Sequence, residues 1–197
     1  MIGYLKGEIA YVDPTHFIID VNGVGYEVKI SLNTYIRFKD HKHCKIYTYL
    51  YIKEDAHILY GFYDQHEKWL FSLLITVSGV GPSTAIMMLS SMNVSEIQDA
   101  IAMEDVGLIK TVKGIGSKTA ERVILELKDK IKKGIAVEKT SDVPVNQMNL
   151  LKNEARTALV TLGFQKSMGE KSIHSILKNA NKDITLEEVI KLALKSS

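Results

Sequence analysis

The chain has 197 residues, 46% of them hydrophobic and 24% charged, with a formal net charge of +2, which is the profile of an ordinary folded protein and excludes a mainly disordered one. No run reaches the roughly 18 apolar residues that a membrane span needs, and Met1–Asp13 lacks the basic and apolar blocks of a secretion signal, so a cytoplasmic chain without membrane contact is expected. A single cysteine, Cys44, excludes an internal disulfide framework.

From Ile2 to Phe62 short β-rich runs alternate with turn signals. Phe17–Val21 and Val24–Ile30 flank Asn22-Gly23, the strongest short-range hairpin signal. Lys45–Ile52 and His57–Phe62 flank Lys53-Glu-Asp-Ala56. About five strands in sixty residues are most economically closed as a small barrel of the OB type over 1–64, because closure removes exposed edges. At Asp64 the period changes: Trp69, Leu70, Leu73, Leu74 and Val77 recur at helical spacing. The helical region is expected over 65–134, its last apolar stripe (Ala120, Val123, Ile124, Leu127, Ile131) ending at Gly134 as a C-cap.

Residues 135–149 have mixed polarity and no sustained period, which predicts a flexible linker. Three short helical stretches follow in 150–197, at about Leu150–Leu162, Glu170–Asn179 and Leu186–Leu194. A core of under fifty residues is marginal, so part of its apolar surface is expected to serve a partner.

Charge is unevenly placed. Lys110 to Lys133 holds eight basic residues against Glu121, Glu126 and Asp129. The chain has 22 Lys and three Arg, so most basic contacts are point charges, better suited to phosphates than to base edges.

Shifting the helical region by 35 residues aligns Leu73-Leu-Ile-Thr-Val-Ser-Gly-Val-Gly-Pro-Ser-Thr-Ala85 with Leu108-Ile-Lys-Thr-Val-Lys-Gly-Ile-Gly-Ser-Lys-Thr-Ala120. This is an internal duplication. Each copy reads as helix, Gly-apolar-Gly turn, helix. Gly79, Gly81, Gly114 and Gly116 let the backbone come close to a ligand, and their amides lie at the positive start of a helix, where they suit a phosphate oxygen. Val80 and Ile115 are counted with the backbone-binding turns, which their side chains anchor from within, while Ser83 and Thr84, and Ser117, Lys118 and Thr119, can complete the two phosphate sites. The copies differ in charge: Lys113, Lys118 and Arg122 stand where copy one has Ser78, Ser83 and Met87. Salt-dependent binding should therefore rest mainly on copy two.

Gly114-Ile-Gly-Ser-Lys-Thr119 is not a nucleotide-binding P-loop, since Ser117 rather than glycine precedes Lys118. His41-Lys-His-Cys44 is the one metal-like cluster, but a tetrahedral site draws its ligands from two separated segments, so no metal is expected. A helix-hairpin-helix repair enzyme, glycosylase or nuclease, would need a placed nucleophile, acid or metal; Asp99 and Asp105 have no recognisable partner. A single-strand binder would use tyrosines such as Tyr47, Tyr49, Tyr51 and Tyr60, whose alternation also fits half-buried strand positions.

The tandem hairpins, with Ser78-Gly-Val-Gly-Pro82, Lys113-Gly-Ile-Gly-Ser-Lys-Thr-Ala-Glu-Arg122, Ile52-Lys-Glu-Asp-Ala56 and Leu59-Tyr-Gly-Phe62, resemble the RuvA family, and the likeness spans essentially the whole chain. It implies an α+β multidomain protein: an N-terminal OB-type β-barrel, a central all-α tandem helix-hairpin-helix domain and a C-terminal three-helix mini-domain. It implies a homotetramer, or two face-to-face tetramers making an octamer, that holds a four-way (Holliday) DNA junction open in recombination and repair. A RuvB-type hexameric ATPase would be bound through the C-terminal domain, with a RuvC-type resolvase as a further partner. ATP would be used by that motor, leaving this chain with no cofactor and no catalytic residue. Glu54 and Asp55 match the family's acidic pin. Four copies would set eight carboxylates at the junction centre, where each pair of charges 10 Å apart repels by only about 0.4 kcal/mol in water, so the pin acts by number and confinement. Two departures from the family pattern are Ser83, where a basic residue is common, and the scarcity of arginine. In the C-terminal domain, Ala158-Leu-Val-Thr-Leu-Gly-Phe164 fits the family signature, and Leu159, Leu162, Phe164, Ile176 and Leu177 are the candidates for motor contact.

Overall fold

The computed structural model describes residues 1–138, 147–179 and 184–195. They form two compact units, Met1–Ile135 and Ala136–Ser197. The first unit opens with strands β1 (Tyr4–Val12), β2 (His16–Val21) and β3 (Val24–Ile30), helix α1 (Leu32–Phe38), and strands β4 (His43–Ile52) and β5 (His57–Phe62). These strands close a barrel in the order β1-β2-β3-β5-β4. All pairs are antiparallel except β3 with β5, whose parallel pairing is reached by way of α1 and β4. The Asn22-Gly23 turn has φ of 54° and 88°, the doubly positive geometry that suits two-residue hairpins. At Gly7, β1 passes from pairing with β4 to pairing with β2 so closely that an added Cβ would lie 1.9 Å from the Asp20 carbonyl oxygen.

Helices α2 (Gln65–Leu74), α3 (Pro82–Ser91), α4 (Val94–Ala102), α5 (Val106–Lys110) and α6 (Ser117–Glu138) follow. Asp64 caps α2 by accepting from the Glu67 amide, and Asn93 with Glu96 forms a reciprocal capping box on α4. Asp105 caps α5. The α4–α5 connection turns on Glu104 at φ 60°, with the Glu104 amide donating to Ile101 and that of Asp105 to Ala100, a Schellman end made without glycine. Its side chain is paired with Lys128 of α6.

Strand β5 is buried on both faces. Leu59 belongs to the barrel core with Phe17, Ile19, Val28, Ile30 and Ile46, whereas Tyr60 and Phe62 belong to the helical core. Phe71 of α2 meets Phe62, Tyr60 and Tyr49 at ring-centroid distances of 4.8, 5.2 and 5.4 Å. Between the two sets sits Gly61, where a Cβ would come within 2.5 Å of both Ile46 and Val28, so the barrel interior is filled at that point by its neighbours.

Helix α1, too short for its period to be read from the sequence, clasps barrel to helices. Ser31 and Thr34 donate hydroxyl hydrogen bonds of 2.6 and 2.7 Å to the buried Glu67 carboxylate at the start of α2, which also accepts from the Tyr63 amide at 2.9 Å. Asn33 donates to the carbonyls of Leu89 and Met92 at the far end of α3. Gly134 does not end α6, which continues to Glu138. The buried stripe Ala120, Val123, Ile124, Leu127 and Ile131 anchors the preceding turns, and glycine inside a helix costs only about 1 kcal/mol. Of the expected linker, residues 139–146 lie outside the described residues, and the remainder belongs to α6 and α7.

The second unit holds α7 (Gln147–Thr161), α8 (Lys166–Asn179) and α9 (Leu186–Lys195) around Ala155, Leu159, Ile173, Val189 and Ala193. Gly163 at φ 96° ends α7 in a Schellman turn, with the Phe164 amide donating to Leu159 and Phe164 returning to the core.

Burial raises the Glu67 carboxyl above its usual 4.5, outweighing the hydrogen bonds from Ser31, Thr34 and Tyr63 that lower it. The folded protein therefore holds this proton more tightly than the unfolded chain, and the resulting stability is complete below 4.5 and lost as pH rises through the folded pKa. In urea titrations Glu67→Ala should lose about 2–4 kcal/mol by stranding three donors. The advantage of wild type over Glu67→Gln should shrink as pH rises above 4.5; an advantage that grows with pH would refute burial as the dominant cause.

Candidate nucleic-acid interface

The duplication is reproduced bond by bond. In copy one the Thr76 amide and hydroxyl donate to the Leu73 carbonyl at 3.0 and 2.7 Å; in copy two Thr111 does the same to Leu108 at 3.1 and 2.6 Å. The Val80 amide donates to Val77 at 3.0 Å, and that of Ile115 to Val112 at 3.1 Å. The following helices begin with Ala85 to Gly81 and Ala120 to Gly116, both 2.9 Å. Gly79 and Gly114 take φ of 93° and 92°. Each threonine thus stops one helix, and each first glycine reverses the chain.

Val80 and Ile115 point inward, buried in the helical core beside Val77 and Val112. Because their amides are used inside the turn, they contribute no N–H to a ligand, which removes them from the donors expected at these positions. The amides of Gly79, Gly81, Gly114 and Gly116 have no acceptor among the described residues. The first-turn amides of α3 and α6 add to them, since a helix start leaves its first N–H groups without an internal partner. Gly79, Gly81, Ser83, Gly114, Gly116, Ser117, Lys118, Lys113 and Arg122 are exposed, and Thr84 and Thr119 are half-buried.

The copies meet asymmetrically. A Cβ on Gly79 would lie 3.4 Å from Thr119 Oγ1, whereas one on Gly114 would have nothing within 4 Å. Arg122 Nη1 donates to Ser78 Oγ at 3.4 Å, joining α6 to the first hairpin across 44 residues of sequence. Ser83 is turned toward the barrel: burial pushes the Tyr60 phenol up, and a hydrogen bond with Ser83 pulls it partly back.

Glu54 and Asp55 form the exposed tip of the β4–β5 hairpin, closed by the Lys53 amide donating to Ala56 at 2.8 Å. Of the barrel tyrosines, Tyr49, Tyr51 and Tyr60 pack on the helical core and are not open for base stacking. Tyr47 instead joins Tyr4 in flanking the Lys45 ammonium, at 4.9 and 4.6 Å. Cys44 faces the barrel core, where burial pushes its thiol up to about 11. The turn before α6 follows the short helix α5 rather than a buried strand, unlike a P-loop.

In the second unit, Leu159 is 0% exposed and forms the centre of the core, so its side chain is not a surface contact as expected. Phe164, Ile176 and Leu177 are half-buried against that core, and Leu162 is exposed. Val160, Met168, Leu192 and Leu194 are also exposed. The signal for Val160, Leu192 and Leu194 lies in the sequence, as they are apolar residues off the helical stripe that runs through Ala155 and Leu159 or Val189 and Ala193.

The four glycines divide by role. Gly79→Ala and Gly114→Ala should each cost about 1–2 kcal/mol in chemical denaturation, because alanine disfavours positive φ. Gly81→Ala and Gly116→Ala, with open space at the Cβ, should stay within about 0.5 kcal/mol of wild type. Equal losses at all four positions would contradict this division.

Three family models match in chain order: the RuvA N terminal domain over residues 1–61, the SAM-like helix-hairpin-helix tandem over 71–129, and the RuvA C-terminal domain over 151–197. Among curated proteins, the Holliday junction branch migration complex subunit RuvA of Cytophaga hutchinsonii is 52% identical over 200 residues, covering 100% of both chains. The proteins of the same name from Christiangramia forsetii and Bacteroides fragilis are each 48% identical, over 99% of both chains. The repeat that the hairpins carry bond by bond thus sits, with the barrel before it and the three helices after it, in a full-length match at about half identity, and the chain belongs to the RuvA family.

Proposed function

We propose that this chain is a non-catalytic, structure-specific DNA-binding subunit that grips the arms of a four-way junction as a homotetramer, or as an octamer of two facing tetramers. The observation that carries this reading is the pair of bond-for-bond equivalent hairpins, each presenting outward amides at a helix start. Such contacts hold phosphates and read no bases, so selectivity comes from the arrangement of several copies around a crossing of arms. The relatives' name, branch migration complex subunit, supports the same reading.

In this scheme Gly79, Gly81, Ser83 and Thr84 of the first hairpin and Lys113, Gly114, Gly116, Ser117, Lys118, Thr119 and Arg122 of the second hold the backbone. Glu54 and Asp55 stand as the acidic pin at the centre. The three-helix unit recruits a RuvB-type ATPase through exposed apolar side chains such as Leu162, with Phe164, Ile176 and Leu177 behind them. ATP is consumed by that motor in the cytoplasm, and a RuvC-type resolvase shares the junction. This chain supplies grip, geometry and recruitment.

Electrophoretic titration with a four-way junction, linear duplex and single strand tests the reading: junction preference without strand cleavage or base release is expected, and cleavage would overturn it. Lys118→Ala should weaken junction binding by about tenfold or more and lower the salt slope by about one per subunit, while Ser83→Ala should change it little. Equal losses would contradict the unequal hairpins. Glu54→Gln with Asp55→Asn should bind junctions at least as well as wild type but alter motor-driven branch migration; a large loss of affinity would contradict the pin.

A further inference from the structure

Building on that reading, we propose that Arg122, although it belongs to the second copy, supplies the cation of the first hairpin, and that Ser78 positions it there. From Leu73 to Ser91 the first hairpin has no lysine or arginine: Ser78, Ser83 and Met87 occupy the places of Lys113, Lys118 and Arg122. Ser83, in the first turn of α3, interacts with Tyr60 on the barrel side. Into this uncharged setting α6 brings Arg122, whose Nη1 donates to Ser78 Oγ at 3.4 Å. The two hairpins also meet one turn earlier at Thr119, whose Oγ1 would be in ordinary van der Waals contact, at 3.4 Å, with a Cβ on Gly79. No equivalent exchange runs the other way, because Met87 has no donor to offer the second hairpin and a Cβ at Gly114 would have nothing within 4 Å.

The chemistry fits a shared phosphate. A guanidinium has five N–H donors in a planar fork, so one bond to Ser78 leaves a pair able to take two oxygens of a phosphate side by side. Lysine could not hold the serine and grip bidentately in the same way. The amides around Gly79 and Gly81 would then work beside a full positive charge. The second hairpin keeps Lys113 and Lys118 for itself. One of the chain's three arginines thus stands where a planar fork has a use that a lysine could not fill.

The test measures four-way junction and linear duplex binding by the full chain across a salt series. Arg122→Ala should weaken binding by roughly tenfold to a hundredfold and lower the salt slope by about one per subunit. Ser83→Lys, which places a local charge on the first hairpin, should restore Arg122→Ala to within about threefold of wild type, but should help Lys118→Ala no more than it helps wild type. Ser78→Ala should lose about threefold, with Ser78→Thr, which keeps the hydroxyl, close to wild type. The same gain from Ser83→Lys in both backgrounds, or wild-type binding by Ser78→Ala, would overturn the assignment. These comparisons read equally well on linear duplex. A wild-type protein without junction preference would sink the functional reading and leave the role of Arg122 to be decided by the rescue.

Discussion

Strand β5 has no solvent face to give away, and the rest of the first unit follows from that. Leu59 and Gly61 close the barrel while Tyr60 and Phe62, one residue out of phase, found the helical core against Phe71. A strand alternates its side chains, so a single six-residue segment nucleates two cores on opposite faces. Barrel and helices are therefore one mechanical body, and the pin at one end of β4–β5 is built on the same strand that seats α2. Glu67 makes the joint specific as well as apolar. Its carboxylate takes donors from α1 and from the strand-to-helix turn together, which an apolar residue of the same size could not do.

On that body the hairpins separate two tasks that the Gly-x-Gly pattern merges. The first glycine of each pair is there for the chain reversal, with positive φ; the second is in ordinary backbone with open space around it. Residues required by the fold and residues required by a close-approaching ligand thus alternate within four positions. The buried Val80 or Ile115 between them ties both to the core. A turn braced in this way presents its amides already oriented, which lowers the ordering cost of contact.

Much of this was legible in the sequence because it is local or periodic. The Asn22-Gly23 turn, the change of period at Asp64, the 35-residue repeat and the three terminal helices are short-range signals with their own physics. What was not legible depends on distant partners. Helix α1 is seven residues long and held by Glu67, Leu89 and Met92, so its own sequence carries little period. Gly134 looked like a stop because composition cannot weigh a glycine against a buried stripe whose last member, Ile131, lies one turn earlier. Leu159 could not be told from a surface contact until the Ala155 and Val189 faces were seen to converge on it. The Ser83–Tyr60 and Arg122–Ser78 contacts join segments far apart in the chain, and no spacing rule reaches that far.

The contact of Thr119 with Gly79 carries a consequence for the history of the repeat. Two copies of one unit began as interchangeable parts, but here one has become the bearing on which the other rests. A Cβ at position 79 would touch Thr119, while position 114 faces no such neighbour. Identical motifs at the two places are therefore under different constraints, one answering to its twin and the other free of it. Such a pair shares one seam, drawn between the glycine of one half and the threonine of the other.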